Sequence, residues 1–204
     1  PAVSRPVRVV QTVREKYLDG RVYLIESRGA SLNGKVLNGQ MERAVRYDRA
    51  PTAGINSIPL MIEELCLVGA TACPGAAVDL AGGARMNLFL PRDYSAVRKR
   101  VDEAFSLRRL SAKIIGDIES ISTLTAAVSS GMGVTVLPES AARALVSSTH
   151  AWMARINSPS LNLPLSLNVS ARLPLSPSAQ AVKNILLSLL NKPMVEEREL
   201  MLVG

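Results

Sequence analysis

Residues 119–140 read ESISTLTAAVSSGMGVTVLPES. Ser120 stands just before Ile121, Leu124 and Val128, which follow at helical spacing, and its hydroxyl suits the first free amides of that helix. The period stops at Gly131, where glycine takes the left-handed turn that ends helices at no steric cost. Val134–Leu137 is a short, continuously apolar strand, and Pro138, with its preset φ and missing amide, opens a further helix through Leu145. Helix, glycine turn, buried strand and proline-started helix in so short a span indicate the α/β class.

The same grammar extends outward. Upstream lie a strand at Asn87–Leu90, a helix over Ser95–Leu107 and a strand at Lys113–Ile118. The helix carries Val97, Val101, Ala104 and Phe105 on one face and Arg98, Lys99 and Arg100 elsewhere. Thr71–Ala84, with Pro74, Gly75, Gly82 and Gly83, reads as a crossover holding one short helical turn at Val78–Ala81. Before it come a helix over Ser4–Tyr17, a strand at Arg21–Ser27, and a short helix capped by Ser31 and stopped by Gly39. Strands at Met41–Tyr47, Ile58–Glu64 and Leu65–Ala70 complete this part. Downstream are strands at Trp152–Ile156 and Leu165–Val169, then a helix opened by Ser176–Pro177 with Val182, Ile185, Leu186, Leu189 and Leu190 on its stripe. Strands alternating with helices predict mostly parallel pairing, and the repeat of that order on both sides of residue 71 predicts two similar lobes.

Composition removes several function classes. At 204 residues, 48% hydrophobic and 20% charged, the chain is a folded domain or two small lobes and not a disordered segment. The longest stretch without a charge, Ser120–Pro138, holds seven hydroxyls and two glycines in 19 residues, which excludes a membrane-spanning helix there. Aromatics at 3% argue against stacking platforms for single-stranded nucleic acid. Cys66 and Cys73 make no disulfide framework, so a reducing, cytoplasmic location is expected. Pro1 as first residue reads as a piece of a longer protein. The net charge of +7 is concentrated in residues 1–50, with ten Lys/Arg against five acids, and in residues 91–115, with seven against three. Such patches attract anions or simply solvate a surface.

The catalytic inventory is thin. His150, the one histidine, sits in the polar run Ser147–His150 with no nucleophile elbow beside it. Three His and Cys residues, widely scattered, predict no metal site, and no cofactor is expected. Gly131–Met132–Gly133 fits neither the dinucleotide nor the P-loop spacing and precedes its strand. Asp117 and Glu119, two apart on a strand, share a face as a carboxylate pair would, but no acid–base partner supports them. The better candidates are the strand-to-helix turns Pro91–Arg92–Asp93–Tyr94–Ser95 and Glu119–Ser120–Ile121–Ser122. There helix-end amides, a guanidinium, a phenol and hydroxyls would face one cleft between the lobes.

Residues 119–140 resemble the regulatory domain of LysR-type transcriptional regulators, in which a helix ends in G-x-G, a short apolar strand follows and Leu–Pro opens the next helix. Ser31–Val45 (SLNGKVLNGQMERAV) is similar to that family's S-x-x-L-x-x-x-L-x-x-G-x-L-D-x-A pattern. Leu88–Phe105 resembles the strand, loop and helix opening its second lobe, and Leu175–Leu190 its terminal helix. The wording from Met86 to Leu145 is most similar to the branch concerned with nitrogen assimilation.

The resemblance implies two Rossmann-like lobes joined by two crossovers, like type 2 periplasmic solute-binding proteins. Residues 1–71 with 163–204 would form lobe one and residues 72–162 lobe two. It implies an effector-binding and dimer-forming domain without catalysis, with DNA bound only by a winged helix-turn-helix outside this chain. Homodimers or tetramers would pair Ser4–Tyr17 with Ser95–Leu107 of a second copy. Matched onto this sequence, the effector candidates are Tyr47, Pro91, Arg92, Asp93, Tyr94, Glu119 and Ser120. The family's first strand and its hydroxyl-bearing turn would precede the first helix, so part of the effector cradle is expected outside these residues. Arg43 and Arg46 depart from the family's apolar strand; Arg43 would snorkel to solvent or serve an interface. Glu119, where relatives often carry a hydroxyl, disfavours a small anion as effector. A solute-binding protein serving a transporter, a ligand-independent oligomerisation domain and a small-molecule enzyme on the same fold are the alternatives.

Overall fold

The longest of the described strands is β2 (Ile55–Gly69), a single strand that spans the two strands expected there. Its fifteen residues run past Pro59, where the ladder shifts register between Pro59 and Met61 instead of ending. The computed structural model describes residues 11, 12, 15, 29–47 and 51–191. The expected strand at Arg21–Ser27, most of the expected helix over Ser4–Tyr17 and the stretch from residue 192 lie outside the described residues.

In chain order the described elements are α1 (Gly29–Leu37), β1 (Arg43–Tyr47), β2, β3 (Ala77–Asp79), α2 (Leu80–Ala84), β4 (Leu88–Leu90) and α3 (Ala96–Leu107). Then follow β5 (Ile114–Asp117), α4 (Ile121–Ser129), β6 (Val134–Pro138), α5 (Glu139–Ser148), β7 (Trp152–Asn157), β8 (Asn162–Ser170) and α6 (Pro177–Asn191). The eight strands form one sheet in the order β1-β8-β2-β6-β4-β5, with β7 on β2 and β3 on β7.

Four details differ from the sequence expectations. Pairing is mixed among the described residues: β4 is parallel to β5 and β6, and β3 to β7, but β2 runs antiparallel to β6, β7 and β8, and β1 to β8. Helices α3 and α4 are the crossovers that bring β4, β5 and β6 into parallel register, whereas β2 is a long connector around which later strands return. The crossover after residue 71 contains β3 before its helix, which starts at Leu80 with the Asp79 carboxylate accepting from the Gly82 amide at 2.6 Å. Helix α1 already runs from Gly29, so Ser31 lies within it and is not its cap. Ile121, expected in the core, is 54% exposed at the start of α4, while Leu124 and Val128 are buried.

Strand alternation builds two core layers, one on each side of the sheet. Leu65, Leu67, Leu88, Leu90, Val134 and Val136 face one way, against Val97, Val101, Ala104 and Phe105 of α3. Cys66, Val68, Phe89 and Leu137 face the other, against Leu124 and Val128 of α4 and Ala142 and Leu145 of α5. Each fully buried Leu or Val contributes about 1.5–3 kcal/mol through the apolar area it removes from water. A third, smaller cluster of Leu32, Val36 and Ala44 seats α1 on β1. The two glycines of the G-x-G turn have different duties. Gly131 has a φ of +76° and ends α4. Any Cβ at Gly133 would lie 2.6 Å from the Asn87 carbonyl oxygen, so only glycine lets β6 approach β4 this closely.

Arg43 is half-buried and has a hydrogen-bond partner within the chain. Its Nη1 donates to the Ala179 carbonyl and ties β1 to the first turns of α6. Burial lowers the proton affinity of this guanidinium, and the neighbouring Glu42 carboxylate opposes that change.

Candidate functional site

The parallel pairing of β4 and β5 sets Leu90 beside Asp117, so the turns that leave these strands are neighbours. The Ile118 amide donates to the Leu90 carbonyl at 2.9 Å and carries the ladder one residue beyond the strands. One turn is Pro91–Tyr94, closed by the Ser95 amide on the Arg92 carbonyl at 2.9 Å. The other is Ile118–Ser120, where the Ser120 hydroxyl caps α4 by accepting from the Thr123 amide at 3.4 Å and lies 2.9 Å from the Ser122 hydroxyl. Arg92, Asp93, Tyr94, Glu119 and Ser120 are exposed, and Pro91 is half-buried. The structure therefore brings six of the seven sequence candidates to one rim.

Arg98 of α3 holds that rim together. Its Nε donates to both oxygens of Asp102 at 2.9 and 2.8 Å, and its Nη1 donates to Asp117 Oδ1 at 2.9 Å and to the Pro91 carbonyl at 3.2 Å. Partial burial alone would lower its proton affinity. Hydrogen bonds and charge from Asp102 and then Asp117 outweigh this and raise it, so the guanidinium stays charged. Asp117, one half of the carboxylate pair considered above, is thus engaged in an ion pair. Glu119 lies past the end of β5 and is not on its face.

The seventh candidate, Tyr47, belongs to a second group. It ends β1, and its hydroxyl donates to Glu63 of β2. Glu63 is only 3% exposed and accepts a further hydrogen bond from the Ser140 hydroxyl, at the start of α5, at 3.0 Å. Sequence reasoning missed Glu63 and Ser140. The one available signal was an acid interrupting the apolar run that ends β2, since nothing local joins residues 47, 63 and 140.

The rim presents a guanidinium, a phenol, hydroxyls and carboxylates. His150 is exposed in the loop after α5. Cys66 is fully buried, and burial first, then Glu139 and Glu64, push its thiol up to about 11. Among the described residues, no three His, Cys, Asp or Glu side chains come together as a metal site. The void beneath α2, lined by Leu67, Leu88, Val101, Phe105 and Ile156, is apolar and only about 10 Å³, room for one water at most.

A family model described as the LysR substrate binding domain matches residues 2–191. The nitrogen assimilation regulatory protein nac of Klebsiella aerogenes is 63% identical over 203 residues, covering 100% of this chain and 66% of that protein. The protein of the same name from Escherichia coli (strain K12) is 55% identical over 203 residues, 100% of this chain and 67% of its own length. The chain thus spans about two thirds of the length of these curated relatives, both named as regulatory proteins. The effector binding domain of QuiR in complex with shikimate matches with a TM-score of 0.79 at 20% identity, over 91% of this chain and 90% of that one. The regulatory domain of Synechocystis CcmR in complex with 2-PG matches with a TM-score of 0.80 at 16% identity, over 92% and 91%. The mixed α/β fold is that of LysR effector-binding domains, the type 2 periplasmic-binding-like fold. No described helix is long and apolar enough to cross a membrane.

Proposed function

Because this chain belongs to the LysR substrate-binding domain family, we propose that it is the effector-binding, oligomer-forming regulatory part of a cytoplasmic bacterial regulator of nitrogen assimilation genes. The observation that carries this reading is the family match across residues 2–191, together with 63% and 55% identity over the whole chain to two proteins named for that role. Operator DNA is read by a winged helix-turn-helix outside this chain, and the chain itself performs no catalysis.

Residues 1–71 with 163–204 act as one lobe and residues 72–162 as the other. This reading is supported by the change of partners along β2, from β8 over residues 55–64 to β6 and β7 beyond. The effector cleft lies between them, rimmed by Pro91, Arg92, Asp93, Tyr94, Glu119 and Ser120, with Tyr47 entering from the first lobe. Carboxylates at Asp93, Asp117 and Glu119 against Arg92 and Arg98 make this rim unfavourable to a small carboxylate. Dimers or tetramers form through α3, whose Leu107 is 75% exposed, against the first helix of a second copy. Effector binding shifts the lobe and dimer arrangement, and so the spacing of the distant DNA readers.

Thermal unfolding against a panel of small metabolites, with mass from light scattering, tests this. A ligand at about 100 times its Kd that binds only the folded chain adds about 2.7 kcal/mol of stability. One compound that shifts the transition, with the shift lost in Arg92→Ala, supports the cleft. An unchanged response in Arg92→Ala removes the cleft assignment, and a dimer that answers no compound favours a ligand-independent oligomerisation domain.

A further inference from the structure

Glu63 stands where β2 changes partners. Glu63 and Glu64 face Leu163 and Asn162 of β8, whereas Leu65 faces Pro138 of β6 and Cys66 faces Arg155 of β7. The Leu65 amide donates across the same point to the Leu161 carbonyl at 2.7 Å. Around this crossing the core is apolar, with Leu65, Leu161 and Leu163 all at 0% exposure, and an acid that served packing alone would be out of place. A carboxylate 3% exposed persists only where hydrogen-bond donors replace its water. Two of those donors are hydroxyls from elements on opposite sides of the crossing: Tyr47 of β1, which is laddered to β8, and Ser140 of α5, which follows β6.

We propose that Glu63 is a positioning residue for the effector cleft, its carboxylate clasping β1 to α5 and setting how far the two halves of the chain open. Bonds to a charged acceptor are shorter, stronger and more directional than neutral ones, and both hydroxyls converge on the same oxygen, Oε2. Spacing between the halves is therefore set by side-chain hydrogen bonds as well as by the two chain crossings. A ligand that moves the halves must bend or break the clasp, although Glu63 itself need not touch it. This inference rests on the two-lobe reading above.

Spin labels at Asn38→Cys, in the turn after α1, and Ser129→Cys, at the end of α4, report the spacing between the halves in the full chain with Cys73→Ser. Both label sites are exposed. Tyr47→Phe and Ser140→Ala each delete one hydroxyl of the clasp. Each is expected to broaden the distance distribution and to raise hydrogen exchange of the Leu65 amide by about tenfold, the least expected of a bond to a charged acceptor. Ser140→Thr, which keeps the hydroxyl, is expected to restore both. Two glycines inserted between the exposed Asn157 and Ser158 loosen the other crossing and serve as control. If the insertion broadens the distribution while Tyr47→Phe and Ser140→Ala leave it as in the wild type, the clasp is refuted and the lobes stand. If even the insertion changes nothing, the chain is one rigid body, and the lobe reading fails together with the clasp.

Discussion

Arg98→Ala removes a side chain that joins the Pro91 turn to the end of β5 at the candidate rim, and its cost follows from where the partners sit. The Arg98 side chain is 17% exposed, but Asp102 and Asp117 are 45% and 48% exposed, so water rescues both carboxylates once the guanidinium is gone. Solvent also screens the pairs: the bond to Asp102, an i,i+4 pair, is worth only about 0.3–0.5 kcal/mol. The bonds to Asp117 and to the Pro91 carbonyl contribute about 1 kcal/mol each, and the packed aliphatic stem adds a little. The expected loss is about 2 kcal/mol, or a fall in Tm of roughly 4–8 °C for a chain of this size. A double-mutant cycle with Asp117→Asn, read by thermal unfolding, is expected to return a coupling of about 0.5–1 kcal/mol, and a cycle with Asp102→Asn a smaller one. Arg98→Lys recovers little, because one ammonium cannot serve a carboxylate on each side and a carbonyl in the geometry of the planar fork. A loss below about 0.5 kcal/mol, the scale of an ordinary surface change, or a vanishing coupling to Asp117 would refute the claim that Arg98 holds the rim together.

Two further outcomes are expected. Gly83→Ala stabilises the fold by about 0.5–1 kcal/mol, because the new methyl meets nothing within 4 Å and a helical glycine is relieved. Gly82→Ala instead places a Cβ 2.8 Å from the Asp79 oxygen that caps α2 and forfeits about 1 kcal/mol of cap, so equal effects of the two in urea unfolding would overturn the packing argument. For the thiols, the exposed Cys73 reacts with a maleimide in the native state while the buried Cys66 does not. The Cys66 thiol is raised from its ordinary 9.0 to about 11, so the folded state holds this proton more tightly than the unfolded state does. That contribution to stability is complete below about pH 9 and is lost as the pH climbs toward 11, with Cys66→Ala flattening this limb of the pH profile.

Local periodicity was a sound guide wherever an element buries one continuous face. The succession β4, α3, β5, α4, β6 and α5 follows the apolar spacing and the caps almost residue for residue, because Leu88, Val101, Leu124 and Val136 are set against the sheet by their own position in the period. That residues 91–94 lie beside 119 and 120 was legible for the same reason: strand ends in an α/β sheet carry the turns, and parallel neighbours bring those turns together. Residues whose environment is set from far away escaped notice. Ile121 belongs to an apolar stripe by spacing, yet it is the first residue of α4 and faces solvent. Val78 and its neighbours pair with Arg155–Asn157, so β3 exists only because β7 lies beside it.

The amino-acid sequence by itself determined the α/β class, the helices and strands from Asn87 to Leu145, the family and six residues of the candidate rim. The family came from the likeness of residues 31–45, 88–105, 119–140 and 175–190 to its patterns; the rest depends on side-chain period, capping residues and the conformational limits of glycine and proline within a few residues. The tertiary structure alone decided that Ile55–Gly69 is one strand, that its neighbours run antiparallel to it, and that Glu63 receives the hydroxyls of Tyr47 and Ser140. Glu63 lies 16 residues from Tyr47 and 77 from Ser140 along the chain. The free energy that keeps its carboxylate in the interior belongs to bonds across those distances, and no local pattern records them.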